Sequence, residues 1–425
     1  IKKHCIDGMK FKVARRKTEK CKECGFCALI CPSHDNCIGC GACVDACPYE
    51  ARVLEEISER RKEIKIKVNH ERYEVPGGIT VLRALELIGF TTLPFKDEKG
   101  MWELSETEIL APCRTGGCWS CAVIINGNLK PSCVTPAEEG MEIITDKDAI
   151  EKKEPKRVVS GFQGHAVGGV GTPYWIKPRT LGLGFRFIEV ACFSHGCILR
   201  CPTCQNWEIT YSALEEEPLS PVEAARLVSY ERRRFGVDRM AISGGESTLN
   251  RRWLLEYLKE LKRLNRDKKA RLHVDTNAVV LTEDYIDALY LAGATDIGAD
   301  VKGLELDTFA EITGIKDREF AKKLLNTEWK AIKYLGENYS DKMFVGIGIP
   351  YNEALVSLDE IYKIGERIAG WSSDVQVCAL DYRPAFRRMD LKKPSYLDML
   401  KVKEVLEGSG LRCVICQTEF GRIGP

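Results

Sequence analysis

The chain lacks any apolar run approaching the ~18 residues that a membrane-spanning helix needs. Its opening, IKKHCIDGMK, holds no apolar core of a secretory signal and no initiator methionine, which leaves room for a start further upstream. It also lacks a charge bias. Sixty-three Lys and Arg face 62 Asp and Glu, for a net charge of +1, so neither a basic nucleic-acid surface nor an acidic disordered tail is indicated. With 425 residues, 44% of them hydrophobic, there is length for about two to four ordinary globular domains.

What the chain has is cysteine, 20 in all. A secreted disulfide scaffold is short and signal-led. This chain is long, and fifteen of its cysteines fall into spaced runs of eight, four and three. That pattern places the protein in a reducing, anaerobic cytoplasm.

Composition divides the chain into a cysteine-rich segment 1–58, a segment 59–146, a charged then glycine-rich linker 147–184, and a segment 185–425. In the second, Glu63–Val68 alternates like a strand and Thr80–Ile88 reads as a helix. The last alternates strand and helix. Strands are expected at Phe187–Cys192, Met240–Ser243, Arg271–Asp275, Asp296–Val301, Met343–Ile349 and Val375–Leu380, with a short further one at Leu411–Ile415. Helix starts are marked by Ser220-Pro221-Val222-Glu223, by the capping box Ser357–Glu360 and by Thr282, whose helix ends near Gly293. Six such pairs imply a parallel sheet covered by helices, compatible with a partial barrel or a doubly wound sheet.

Cys21, Cys24, Cys27 and Cys31 read C-x2-C-x2-C-x3-C, followed by Pro32; Cys37, Cys40, Cys43 and Cys47 repeat it, followed by Pro48. Gly25, Gly39 and Gly41 allow the tight turns. The duplicated spacing resembles the bacterial two-cluster ferredoxins, in which the fourth cysteine ligates the other cluster. That resemblance assigns Cys21, Cys24, Cys27 and Cys47 to one 4Fe–4S cluster, and Cys37, Cys40, Cys43 and Cys31 to a second. Only five residues separate Cys31 from Cys37, a trimmed version of the usual connection. Zinc, which also takes thiolates, is the alternative.

Cys113, Cys118, Cys121 and Cys133 read C-x4-C-x2-C-x11-C. The first three match the plant-type 2Fe–2S loop. The short final spacing resembles the iron–sulfur subunits of succinate dehydrogenase and the molybdenum hydroxylases. Gly116 and Gly117 let the loop wrap a cluster, with structural zinc again the alternative. These two modules speak of electron transfer and do not say what the electrons are for.

Cys197, Cys201 and Cys204 form C-x3-C-x2-C after the first expected strand of the last segment. Three cysteines leave one iron of a 4Fe–4S cluster without a protein ligand, and an open position is what a catalytic metal needs. Gly244-Gly245-Glu246 follows the second strand, Asp275-Thr276-Asn277 ends the third, and Asp300-Val301-Lys302 ends the fourth, with Thr313-Gly314 beyond. The ensemble resembles the radical S-adenosylmethionine (SAM) superfamily, and within it the activating enzymes of glycyl radical enzymes, such as pyruvate formate-lyase activase; the stretch Cys204-Gln205-Asn206-Trp207-Glu208-Ile209 also resembles an archaeal activase-like group and the AmmeMemoRadiSam group.

The resemblance implies an α/β fold: a partial (β/α)6 radical SAM barrel with N-terminal α+β ferredoxin-type modules. It implies that SAM binds the open iron and is cleaved by one electron to methionine and a 5′-deoxyadenosyl radical, which takes hydrogen from a substrate. Gly244, Gly245, Glu246, Asp275, Asn277, Asp300 and Lys302 would then line the SAM and substrate site. Three positions depart from the activases. Thr203 stands where many members have an aromatic residue against adenine, Ala278 replaces the glycine of DTNG, and Phe309 stands where a histidine is common.

The expected cofactors are three 4Fe–4S clusters, one 2Fe–2S cluster and SAM. The expected partner is a low-potential donor of the ferredoxin or flavodoxin type, with the N-terminal modules as a built-in wire. The substrate is expected to be a protein, with a small metabolite as one alternative and an electron-transfer subunit with a silent barrel as another. No cobalamin-binding motif is evident. Cys192 and Cys378 read as core residues, Cys413 and Cys416 as structural thiols or an extra ligand pair, and His195 as a residue satisfying its loop; Cys5 has no assignment.

Overall fold

The computed structural model describes residues 2–3, 10–34, 36–59, 61–96, 103–182 and 184–425; Cys5 lies outside them. It divides into two compact units that interleave in sequence. The first comprises Ile1–Ser160, Ser194–Ile198 and Asn206–Ser220; the second comprises Gly161–Phe193, Leu199–Gln205 and Pro221–Pro425.

In the first unit, Phe11–Arg16 pairs antiparallel with Arg52–Ile57, joining Phe11 to Ile57 and Arg16 to Arg52. Between these strands lie two one-turn helices, Phe26–Leu29 and Ala42–Asp45, entered by Gly25 and Gly41 at φ +77 and +82. That left-handed entry has little cost for glycine.

The rest of the unit carries a six-stranded sheet in the order Lys2–Lys3, Glu71–Pro76, Glu63–Val68, Glu142–Ile144, Ala122–Ile125, Asn128–Pro131. Ile64, Ile66 and Val68 alternate inward along the Glu63–Val68 strand and join Val75, Val81, Leu82, Leu85 and Ile143 in one core. The Val81–Leu87 helix is capped by Thr80, whose hydroxyl accepts Arg83 N at 3.0 Å.

The second unit is a nine-stranded sheet that does not close on itself. Six strands, Arg239–Gly244, Arg271–Thr276, Asp296–Asp300, Phe344–Tyr351, Gln376–Asp381 and Cys413–Thr418, run parallel in chain order. Glu189–Ser194 lies beside the first of them, then Val159–His165; Gly421–Ile423 closes the far edge. The strand interiors are buried nearly throughout, as expected when helices cover a parallel sheet. The six strands from Glu189–Ser194 to Gln376–Asp381 are each followed by a helix, which makes the expected partial (β/α)6 barrel.

The helices follow their sequence signals. In Arg251–Leu264 the buried positions Trp253, Leu254, Tyr257, Leu258 and Leu261 recur at three- and four-residue spacing, and Asn250 caps its start. Ser357 accepts Glu360 N at 3.1 Å, but the expected capping box is only half formed, because the Glu360 carboxylate accepts Leu304 N, Glu305 N and Thr308 Oγ1 instead. Thr282 occupies the N-cap, but its hydroxyl donates to Asp284 instead. Gly293 ends that helix at φ +116.

The glycine-rich stretch that composition marks as a linker is built into the barrel. Residues 168–172 lie against the inner face of the sheet. A methyl group at Gly171 would lie 2.6 Å from Gly298 N, one at Gly346 would lie 2.8 Å from Gly171 Cα, and one at Gly169 would collide with the Asp275 carboxylate. Gln376 Nε2 donates to Thr172 O at 2.9 Å, and its Oε1 accepts Tyr174 N at 3.0 Å. Glycine faces glycine here because two backbones pass at contact distance, leaving no room for Cβ atoms. No helix among the described residues is long and apolar enough to cross a membrane.

Candidate functional site

No disulfide forms among the described cysteines. In the first unit, Cys40 and Cys43 sit within electrostatic range of Cys31 and Cys37. Burial pushes the Cys40 thiol up to about 11 and the Cys43 thiol up to about 12. Donors already aim at sulfur: Ala14 N at Cys37 Sγ, Ala51 N at Cys47 Sγ and Arg52 Nη2 at Cys27 Sγ, each at 3.2 Å. Hydrogen bonds of this kind favour the thiolate and tune a cluster's potential.

Cys113, Cys118, Cys121 and Cys133 are all buried and hydrogen-bond to one another: Cys113 to Cys118 and Cys133, and Cys121 to Cys133. Among the described residues no three or more His, Cys, Asp or Glu side chains converge as ligands of a single ion would. Gly116 turns the loop at φ +81. Three buried side-chain atoms in the surrounding segments have no protein partner: Thr115 Oγ1, His195 Nδ1 and Thr210 Oγ1. Four buried, mutually hydrogen-bonded thiols suit a 2Fe–2S cluster.

The Cys197–Cys204 loop follows the Glu189–Ser194 strand, as expected. Cys197 falls in the first unit, Cys201 and Cys204 in the second. In the second unit the loop is held by Arg200 N donating to Thr313 O at 2.9 Å and by Arg387 N donating to Pro202 O at 2.9 Å. Gly314 lets the chain pass directly under Arg200 O, where a Cβ would not fit. The Thr313-Gly314 step therefore serves as a bearing for the cysteine loop.

At the C-terminal ends of the strands, Lys302 Nζ donates to Asp300 Oδ2 at 2.7 Å. Burial pushes the Cys201 thiol up to about 12, against the opposing charge of Lys302. Burial would lower Lys302, but Asp300, Tyr382 and Cys201 hold it well above its ordinary value, so it stays charged. Tyr382 is hydrogen-bonded to Thr203 and lies near Cys201 and Cys204; burial, then Cys201, pushes its phenol up. Tyr382 was not legible in the sequence. Its only signal is its place one residue beyond a strand end, as with Asn277.

Glu246 and Asp275 are engaged within the protein. Glu246 is buried; its Oε1 accepts Thr248 N, Thr248 Oγ1 and Thr276 Oγ1, and its Oε2 accepts Asn277 N at 2.8 Å. Asn277 Oδ1 in turn accepts Val279 N at 3.3 Å. Asp275 Oδ1 lies 2.6 Å from His273 Nε2, beside the 168–172 stretch. Below it, Arg239 binds Glu189 and Thr172, all buried. Gly244 ends its strand at φ +112. Ala278 keeps the left-handed φ of +57 suited to the glycine it replaces, and Phe309 is fully buried core.

The remaining candidates have plain structural roles. His195 Nε2 meets Ser160 Oγ at 2.8 Å, and burial followed by Arg157 lowers its pKa to about 4. Cys192 is buried, with Sγ 3.5 Å from Tyr257 OH. Cys413 and Cys416 lie three residues apart on one strand and so point to opposite faces.

Comparison with known proteins matches segments of the chain to iron–sulfur and radical SAM families. Residues 192–362 match the Radical SAM superfamily, 61–148 a 2Fe–2S iron–sulfur cluster binding domain, 36–74 a 4Fe–4S dicluster domain and 18–33 a 4Fe–4S binding domain. An uncharacterized iron–sulfur protein of Methanocaldococcus jannaschii is 44% identical over 75 residues, 17% of this chain and 13% of that protein. A probable GTP 3′,8-cyclase of Saccharolobus solfataricus is 33% identical over 114 residues, 26% of this chain and 35% of that protein. The chain thus spans well under half the length of either relative. Among solved structures, SuiB of Streptococcus suis bound to S-adenosylmethionine aligns with TM-score 0.37 and 18% identity over 50% of this chain and 44% of that one. HydG, a maturase of the [FeFe]-hydrogenase, aligns with TM-score 0.39 and 14% identity over 52% and 48%.

Proposed function

We propose that this chain, a radical SAM protein with N-terminal ferredoxin-like iron–sulfur domains, is an enzyme that reductively cleaves SAM and abstracts hydrogen from a protein substrate. The observation that carries the reading is the gathering of Cys201, Cys204, Thr203, Tyr382, Asp300 and Lys302 at the C-terminal ends of the barrel strands. Cys197, Cys201 and Cys204 would hold the SAM-binding 4Fe–4S cluster. When bound, that cluster supplies the electron that splits SAM into methionine and a 5′-deoxyadenosyl radical.

The protein's own part is positioning and charge. The Lys302–Asp300 pair presents one fixed charge of each sign beside Cys201, suited to a zwitterionic ligand. Glu246 holds the turn after the second parallel-strand motif by accepting four donors. The Gly244–Gly245 backbone is then the part of that motif proposed to receive the SAM ammonium, with Asn277 fixed alongside. The other twelve motif cysteines would hold two 4Fe–4S clusters and one 2Fe–2S cluster, relaying electrons from a ferredoxin- or flavodoxin-type donor.

A protein substrate, through glycyl radical activation or another peptide modification, is supported by the Asp275-Thr276-Asn277, Asp300-Val301-Lys302 and Thr313-Gly314 run, whose last step braces the cysteine loop. A small-metabolite substrate is a second reading, favoured by the 33% identity with a protein named as a probable GTP 3′,8-cyclase.

The test is anaerobic reconstitution, reduction with titanium(III) citrate and assay for 5′-deoxyadenosine. Product from the native protein and none from Cys201→Ala is expected. No product from the native protein would leave an electron-transfer subunit with a silent barrel. Deuterated candidate peptides or nucleotides that pass label into 5′-deoxyadenosine would decide between the substrate readings.

A further inference from the structure

Within the first unit, the residue just before Cys197 rests on the four-thiol site. A methyl group added at Gly196 would lie 3.0 Å from Cys113 Sγ, 2.9 Å from Cys113 Cβ and 3.1 Å from Cys118 N. From the other side, one added at Gly117 would lie 2.6 Å from Gly196 N and would collide with the His195 carbonyl group. Gly196 takes φ +82, so glycine suits both the backbone and the space. Backbone bonds lock the contact: Gly196 N to Thr210 O at 2.9 Å, His195 N to Val158 O at 3.1 Å and Val158 N to Gly117 O at 3.1 Å. Thr115, Thr210 and His195, which carry the buried side-chain atoms without protein partners, belong to the segments that meet here.

The same site also borders the first cysteine module. Cys133 and Cys40 line one cavity of about 250 Å³, together with Arg61, Arg83 and Arg114. Cys133 of the four-thiol site thus shares a cavity with Cys40, while Cys113 of the same site packs against Gly196, next to Cys197.

We infer that the His195–Gly196 segment is a contact that couples the Cys113/Cys118/Cys121/Cys133 site to Cys197. This site stands in series between the Cys31/Cys37/Cys40/Cys43 site and Cys197. The inference rests on the reading that Cys197 serves a SAM-binding cluster. From Cys113 Sγ to Cys197 Sγ the path needs one van der Waals step, to Gly196, and then the covalent bonds to the next residue. The transfer is a single electron: a low-potential carrier of the ferredoxin or flavodoxin class is oxidised by one electron, the Cys197 site is reduced by one, and no bond to protein changes. A competing entry exists where Phe26, next to Cys27, meets Trp207 edge-on at 4.9 Å between ring centroids.

The experiment uses the full-length, anaerobically reconstituted protein with a reduced two-cluster bacterial ferredoxin as the probe donor. In the native protein, reducing the 2Fe–2S site should speed the electron-spin relaxation of the Cys197 cluster; unchanged relaxation overturns the inference without recourse to any variant. Cys121→Ser, checked for loss of the 2Fe–2S visible and electron paramagnetic resonance (EPR) signals, should slow ferredoxin-driven reduction of the Cys197 cluster at least tenfold. Titanium(III) citrate should still reduce that cluster, read by its EPR signal, which shows that the Cys197 cluster itself is in place. Gly196→Ala should weaken the magnetic interaction while iron content is kept. Ferredoxin-driven reduction at the native rate in Cys121→Ser, or its loss in Trp207→Leu instead, overturns the series order. Failure of the native protein to make 5′-deoxyadenosine with titanium(III) citrate would instead sink the underlying reading.

Discussion

Glu246 Oε2 accepts the backbone N–H of Asn277 at 2.8 Å, tying the turn after one parallel strand to the turn after the next. Two motifs thirty residues apart in sequence are thereby one structure, with Thr248 and Thr276 bonded to the other carboxylate oxygen. Glu246→Ala removes a buried acceptor from several donors at once. A loss of about 2–4 kcal/mol in stability is expected. Glu246→Gln, which keeps one acceptor oxygen, should lose less. Urea unfolding of both variants checks the order, and SAM affinity should fall in the same order.

The 168–172 stretch gives a second prediction. Gly169→Ala would push a methyl group into the Asp275 carboxylate, and Gly171→Ala into the Gly298 backbone. Each should cost about 2–3 kcal/mol, the scale of overpacking in a rigid core. Gly408→Ala, where nothing lies within 4 Å, is the control and should be neutral or slightly stabilising in its helix. Equal midpoints for Gly169→Ala and Gly408→Ala would show that the stretch does not occupy the barrel.

Ala278 predicts a gain. Its φ of +57 costs an L-residue roughly 1–2 kcal/mol that glycine avoids, partly offset by the freer unfolded chain of glycine. Ala278→Gly should therefore raise stability by up to about 1 kcal/mol, read as a higher melting temperature. A fall would mean that the alanine methyl, fully buried, packs well enough to outweigh its backbone.

Asp275 sets a pH dependence. Burial would raise its pKa, but the charge and hydrogen bond of His273, then Arg239 and Ser243, bring it below the ordinary value. A carboxylate with a lower pKa folded than unfolded stabilises fully above its unfolded value of about 3.9, and loses that contribution as pH falls through the folded value. Asp275→Asn should lower stability at pH 7 and narrow the gap from the native protein below about pH 4. Glu189 shifts upward by burial, so the difference between the two proteins is the quantity to plot rather than either curve alone.

Much of this architecture was legible because its signals are local. The Glu63–Val68 strand appears at its expected bounds because alternation alone specifies a half-buried strand. The strand–helix alternation from residue 189 onward follows from capping residues and apolar periodicity. The cysteine spacings likewise announce their chemistry, since a short loop between thiols is itself the geometric requirement. What stayed hidden depends on contacts between distant segments. Tyr382 reaches Thr203 from far along the chain, and no spacing rule connects them. The carboxylate of Glu246 faces inward to its own turn because Thr248 and Thr276 happen to converge there. A run of glycines reads as flexibility, yet here it marks where two backbones touch; the same residue type serves both ends, and only the partner strand distinguishes them.

The packing of residues 168–172 against the sheet changes where this protein can be divided. A chain begun at residue 185 would carry every superfamily motif but leave the inner face of four strands uncovered at Gly298, Gly346, Asp275 and Gln376. The first unit fares no better alone, since Ser194–Ile198 and Asn206–Ser220 belong to it. No single cut in the sequence therefore yields either unit whole.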